Sequence, residues 1–517
     1  MRFNSVTDNP IIMKKILTIF ILSTAFSCLT AHAQSGLRPR GDVNCDWEVN
    51  IGDVNAVIDS IFNDAKYPRL YSYATDVNGD KEINIADLNM IIAAIQGEEL
   101  PPMPSYSGTL PVLYINTEGH RNIDSKENYT QATWWLDNMG NDEFESLGSA
   151  NDPLGMVIKG RGNYTWDNFE KKSFRIKLDS KQPLMGMNKN RHFCLLAHAD
   201  DHLAKLKNTI GFELSRRIGL PYTPVQEPLE VVLNGQYIGL YFLTEKPRVD
   251  KDRINIEEQM DNETNPAKVS GGWLLELNSF DGPMIYVQEH YDEPWDWDDM
   301  LCFESVSPES ISNQQKDYIT QFLTDANAAI QIDDTTSTEW EKYIDIDTLV
   351  RFYIVGEITD DLEYFSGSLF MYKHRGDSAK LMFGPVWDFG NSFTRVPIFG
   401  VDSLCYFFYE QPTFSHAHWI QEMSKFAHFQ QLVREVWREF YNTDFNGMYL
   451  DQFIDDFVES IKPANKADVV RWPDYNIDTQ KSEYKQYIHS KITWLNSQWG
   501  TGHNFNSNGG VKRPQND

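Results

Sequence analysis

Twice in the first ninety residues, oxygen-bearing side chains recur at a spacing that could wrap a cation. Asp42, Asn44, Asp46, Asn50 and Asp53 occupy positions 1, 3, 5, 9 and 12 of a twelve-residue stretch, and Asp76, Asn78, Asp80, Asn84 and Asp87 occupy the same positions of a second. Glu48 and Glu82 stand at position 7, where a main-chain carbonyl would complete the set. Hard divalent cations of the Ca²⁺ type take six to eight oxygen ligands, and this spacing brings that number around one point. Two Ca²⁺ sites are therefore expected.

The elements that must position these oxygens follow each loop. Apolar residues recur at Val54, Val57, Ile58, Ile61 and Phe62, and again at Leu88, Ile91, Ile92 and Ile95. That is helical spacing, so each loop feeds an amphipathic helix. The copies lie 34 residues apart, so the unit is an internal repeat. Position 6 holds Trp47 or Lys81 in place of the usual EF-hand glycine, and position 12 holds Asp in place of Glu. A duplicated loop-helix unit of this kind resembles a dockerin module, here over residues 38–97. The resemblance implies two Ca²⁺ ions and a cohesin-type partner, met by helix faces that begin near Ile51-Gly52 and Ile85-Ala86. The alternative is intramolecular docking, in which calcium holds the module together while it packs on its own chain. Residues 98–110 read as a linker, because Pro101, Pro102 and Pro104 cannot continue a helix.

Composition sets outer bounds. The chain has 517 residues and a formal net charge of −29, which argues against bare nucleic acid and anionic lipid as partners. Residues 1–33 read as a signal peptide: Lys14-Lys15, an apolar run from Ile16 to Leu22, and Ala31-His32-Ala33 as the cleavage site. A secreted or cell-surface location follows, with lipoprotein anchoring through Cys28 as the lesser alternative. No later run reaches the roughly 20 apolar residues of a membrane span. Cys45, Cys194, Cys302 and Cys405 are too scattered to read as a disulfide framework or a zinc site.

Beyond the linker, residues 111–500 read as one large domain, and 501–517 as a polar, glycine-containing flexible tail. Strand-like runs come first, at 112–115, 156–159, 173–178, 229–233 and 237–244, with Asn234-Gly235 as a hairpin signal. Helical spacing runs from Ala204 to Ile218 and stops at Gly219. It returns over 314–330, 346–357, 419–441 and 484–499. The fold class expected is α+β: a small all-α paired calcium loop-helix module plus a large α+β domain.

Several segments of this domain resemble the CotH-type kinase family of atypical protein kinases. They are Lys159 to Trp166, Lys171 to Leu178, Leu195 to Asp201, Lys207-Asn208, Leu233 to Tyr241, Leu243 to Lys246, Gly271 to Glu276 and Phe383 to Phe389. The resemblance implies Mg²⁺ or Mn²⁺ with ATP, and a secreted protein as acceptor. Phosphoryl transfer needs cations on phosphates, carboxylates on the metal and a carboxylate near the attacking hydroxyl. Arg161, Lys172, Arg175, Lys177 and Lys207 are the candidates for phosphate. Glu245 and Glu276 sit in apolar strand-like runs and need a partner, either a phosphate-facing lysine or a structural salt bridge. The family's metal-binding Asp falls on Asp388, but the second acid of that stretch is Gly390 here. Its catalytic Asp aligns with Glu363, with Asp361 where the family has Asn and Asp360 alongside. These departures leave two readings: an active kinase, or a catalytically inactive surface or assembly module recruited to a cohesin-type partner or a polysaccharide-degrading complex. A weaker third is a glycoside hydrolase using acids among Asp296, Asp298 and Asp299.

Overall fold

Early strand alternation and late helical spacing resolve into two units in the computed structural model. It describes residues 37–62, 72–78, 83–100, 105–199, 205–278, 283–289, 300–361, 363–393, 419–443, 448–472 and 481–500. The signal peptide, the tail, Asp80, Glu82 and the acids at 296, 298 and 299 lie outside the described residues. One unit comprises residues 1–197, 228–241 and 463–473; the other comprises 198–227, 242–462 and 474–517. The expected α+β class holds.

In the first unit, helices α1 (Ile51–Phe62) and α2 (Ile85–Ile95) pack on each other around Val43, Val54, Ala56, Val57, Val77 and Ile91. Two short helices can bury only one stripe each. Ile51, Ile58, Ile61, Ile85 and Ile95 accordingly stay exposed, although three of them belong to the helical spacing seen in the sequence. Leu100 packs on this core, and Ser107 is held by Glu230, which accepts from its N–H at 2.9 Å.

The same unit carries a closed barrel. Its strands are β1 (Val112–Thr117), β2 (Thr130–Asp137), β3 (Leu154–Arg161), β4 (Ser173–Gln182), β5 (Asn190–Leu196), β6 (Gln226–Leu233) and β7 (Gln236–Glu245), in the order β1-β2-β3-β4-β5-β7-β6. Sequential strands from β1 to β5 pair antiparallel, and β1 closes on β6 in parallel register, Val112 opposite Glu230. The Asn234-Gly235 turn has positive φ at both residues, 51° and 77°, the geometry a two-residue hairpin favours. Met156 and Ile158 on β3, and Phe174, Ile176 and Leu178 on β4, are buried. The alternate residues face the other way.

The second unit holds a five-stranded sheet in the order β12-β11-β8-β10-β9, built from β8 (Trp273–Leu277), β9 (Met284–Gln288), β10 (Met300–Ser307), β11 (Leu369–Lys373) and β12 (Leu381–Phe383). Its helices are α3 (Lys207–Ile218), α4 (Asn313–Ile330), α5 (Ile346–Thr359), α6 (Ala427–Tyr441), α7 (Met448–Arg471) and α8 (Lys481–Trp499), the last turns of α7 falling in the first unit. Gly219 ends α3 in the left-handed conformation (φ 83°), as its place after the last apolar residue predicts. α5 is buried along most of its length and packs against α3, α6 and α8. Two expectations need correction. The continuous helix expected over 419–441 is a short turn, Ile420–Met423, followed by α6, with Ser424 to Phe426 between them. The long helix α7 went unread, because Pro463 inside it interrupts the sequence signal.

Candidate functional site

The calcium-type loops are best seen in the first copy. Asp42 and Asp53 are fully buried. Asp42 Oδ1 accepts from Asp46 N–H at 3.0 Å, and Oδ2 accepts from Trp47 N–H at 2.9 Å. Asp53 closes the loop from the other end: Oδ1 accepts from Val43 and Asn44 N–H, and Oδ2 from Asn50 N–H. Asn50 Oδ1 takes Gly52 N–H at 2.7 Å, so position 9 caps α1. The second copy repeats this arrangement, since Asn84 caps α2 and Asp87 completes a capping box while reaching Asn78 N–H at 3.3 Å. The pairing of positions 9 and 12 explains why the repeat is legible. These residues set the helix start as well as the oxygen cluster.

The missing glycine has a structural counterpart. Trp47 at position 6 adopts φ 69°, and Cys45 adopts φ 71°, so non-glycine residues carry the left-handed turn. The donor set suits a hard cation in type and charge. Burial pushes the Asp42 carboxyl up to about 6 even though Arg38 pulls it down, and Asp53 and Asp46 add repulsion. Burial also raises Asp53. A divalent ion would offset both the desolvation and the repulsion. Among the described residues no three His, Cys, Asp or Glu side chains already form a metal cage. In this loop the carboxylates turn to backbone amides instead.

In the second unit, the residues singled out for phosphotransfer sort into two groups. The charges of Glu363 and Asp388 act on Asp361, although these three acids do not form a ready metal cage. Asp361 follows α5 through Asp360, which sits at φ 51° as its C-cap. Asp361 is buried, with Oδ1 accepting from Glu363 N–H at 3.0 Å and Oδ2 from the Ser392 hydroxyl at 2.9 Å. Burial pushes its carboxyl up to about 7, and the charges of Glu363 and Asp388 push the same way. Glu363 is raised by desolvation first and Asp388 second, yet the residue keeps solvent contact, so the buried Asp361 is the more strongly perturbed acid. Asp388 is exposed at φ 57°, on a turn fixed from α3: Asn208 Oδ1 accepts from Phe389 N–H at 2.9 Å, and Lys207 Nζ donates to the Gly390 carbonyl at 2.6 Å. Lys207, expected on phosphate, thus holds the acidic turn.

For Glu245 the structure shows the second of its two expected partners, a structural salt bridge. Its partner is Arg253, with Tyr222 donating to Oε2 at 3.1 Å, a structural ion pair in place of a phosphate-facing lysine. Glu276 lies in the middle of β8, opposite Glu304 of β10 and Phe370 of β11, with Asn278 donating to it at 3.3 Å.

The basic candidates belong to the barrel. Lys159 and Arg161 on β3 stand opposite Arg175 and Ser173 on β4, and Lys177 stands opposite Val157 and His192. Strand alternation puts Lys159, Arg161, Arg175 and Lys177 on one face. Lys159 on this face also lies over the Tyr129 ring, 5.1 Å from its centroid. Arg175 Nε is buried without a hydrogen-bond partner. Lys172 instead lies over the Trp166 ring and donates to the Trp166 carbonyl. Sequence reasoning missed Ser392 and the pairing of Lys159 with Arg175, and gave Asn208 no role beyond the resemblance. A hydroxyl or an amide carries no periodic signal, and register is a long-range property.

A barrel with a cationic face, an acidic turn set by a buried helix, and a paired loop-helix module follow the order of modules that the sequence resemblances imply. Comparison with protein families agrees: the family described as CotH kinase protein matches residues 158–495, and the dockerin type I domain matches residues 40–96. The chain therefore belongs to the CotH kinase protein family and carries a dockerin type I domain ahead of it. No curated protein matches it. Dockerin domains are generally calcium-binding, and their kind of partner is a cohesin. No helix among the described residues is long and apolar enough to cross a membrane.

Proposed function

We propose that this is an exported phosphotransferase that uses Mg²⁺ or Mn²⁺ with ATP to modify hydroxyls of secreted or surface proteins, and that its Ca²⁺-loaded dockerin brings it to a cohesin-type partner. The observation that carries the reading is the tie between the buried Asp361 and the segment that carries Asp388, made by the Ser392 hydroxyl at 2.9 Å, with burial pushing the Asp361 carboxyl up to about 7. An acid tuned to that range suits a base working near neutral pH. Asp388, exposed on its turn, would hold the divalent ion, with Asp361 or Glu363 receiving the hydroxyl proton. The ion supplies charge neutralisation on the phosphates. Taken by itself, the barrel presents Arg161, Arg175 and Lys177 on one face, groups of the kind that donate to phosphate oxygens. On the module, exposed Ile51 and Ile85 begin equivalent faces of the two repeats and give a partner apolar anchors.

A second reading, an inactive kinase-like assembly module, is favoured by Gly390 and by the engagement of both Asp361 oxygens with Ser392 and Glu363. Labelled ATP with Mg²⁺ or Mn²⁺ separates the two. Transfer to the chain or to a secreted acceptor that disappears in Asp388→Ala supports the phosphotransferase. Absence of transfer to any acceptor supports the assembly module.

A further inference from the structure

Arg38 lies just before the first loop, outside the dockerin match, and joins two structures at once. Its Nε is 3.2 Å from Asp42 Oδ2, and both side chains are wholly inaccessible. Its guanidinium stacks on Trp47 at 5.4 Å, and Nη2 lies 3.2 Å from His120 Nδ1. Its own N–H donates to the Gly235 carbonyl of the β6–β7 turn at 2.5 Å. A Cβ added to Gly235 would fall 2.6 Å from the Trp47 ring and 3.0 Å from the Arg38 Cβ, so this turn admits the loop only as glycine. Leu37 packs beside Val112, Tyr114, Val232 and Tyr237 of the barrel.

Asp42 is position 1 of the first loop, so its carboxylate faces two claims. Arg38 Nη1 is buried without a hydrogen-bond partner, and Asp42 is the acid that pairs with this buried guanidinium. A cation in the loop would draw on the same carboxylate and place like charge beside the guanidinium. The repeat lacks this arrangement, because the residue 34 positions on is the uncharged Ser72.

We propose that Arg38 is an internal competing cation for the first calcium loop, so that Ca²⁺ binding there and seating of the loop on the Asn234-Gly235 turn oppose each other. This rests on the calcium reading of the loops. Linkage makes the opposition reciprocal: whatever loosens the seat strengthens the ion, and the ion loosens the seat.

The test is calcium calorimetry on the full chain, as wild type, Arg38→Met and Gly235→Ala. One of the two sites should tighten by on the order of tenfold in Arg38→Met and by a smaller factor in Gly235→Ala, while the other stays unchanged. Two-site binding that neither substitution tightens overturns the inference and leaves the calcium reading standing. No heat from wild type and variants alike removes the calcium reading and the inference with it. Hydrogen exchange on the wild type needs no variant: saturating Ca²⁺ should quicken exchange of the Arg38 amide, and slowed or unchanged exchange contradicts the proposal.

Discussion

The Ser392 hydroxyl donates to Asp361 Oδ2 at 2.9 Å, joining the acid that follows α5 to the segment that carries Asp388. The bond holds a carboxyl that burial has already pushed up to about 7, from an ordinary value of 3.8.

A pH dependence follows. The folded chain holds the Asp361 proton more tightly than the unfolded chain does, so this stabilisation is fully present below about pH 4 and is lost as pH rises through about 7. The loss is at most roughly 4 kcal/mol. Urea unfolding at pH 5 and pH 8 should show the wild type losing stability across that interval, and Asp361→Asn should flatten the loss.

The acidic turn depends on a close approach from α3. A Cβ on Gly211 would lie 2.3 Å from the Phe389 ring, one residue from Asp388. Gly211→Ala is expected to cost about 1–3 kcal/mol and to weaken Mn²⁺ binding, because the ring must move and the turn moves with it. Denaturation and Mn²⁺ titration read the two effects separately.

In the barrel unit, Lys171 Nζ lies 2.9 Å from Asp468 Oδ1 and donates to the Leu240 carbonyl at 2.7 Å, while Asp468 accepts from Leu240 N–H. Lys171→Met removes one partner of this buried ion pair and should cost about 3–5 kcal/mol. The double variant with Asp468→Leu should recover part of that loss, which a double-mutant cycle measures.

On the dockerin, Ile51 and Ile85 are about two-thirds exposed at equivalent places in the repeat. Ile51→Glu with Ile85→Glu should reduce capture by a matching cohesin at least tenfold, because a charge at an interface core must be desolvated. Calcium-dependent stability should be unchanged, since neither side chain contributes to the module core.

What could be read in advance was local. The repeat was visible because Asn50 with Asp53, and Asn84 with Asp87, place capping and oxygen-bearing residues together. The β6–β7 hairpin was visible in Asn234-Gly235, and the end of α3 in Gly219. The closure of β1 on β6, the pairing of Lys159 with Arg175, and the capture of Lys207 by Gly390 depend on residues far apart in sequence. They leave no short-range pattern. Glu245 shows the same limit: its apolar surroundings demanded a partner, but only the fold shows that Arg253 supplies it.

Mn²⁺ binding in the presence of a non-hydrolysable ATP analogue, compared between wild type and Asp388→Ala, tests the central claim most directly. One ion per chain should bind with the nucleotide, and the substitution should weaken it at least tenfold. Equal binding by both proteins, or none by the wild type, would contradict the assignment of the Asp361, Glu363 and Asp388 cluster as a metal-nucleotide site.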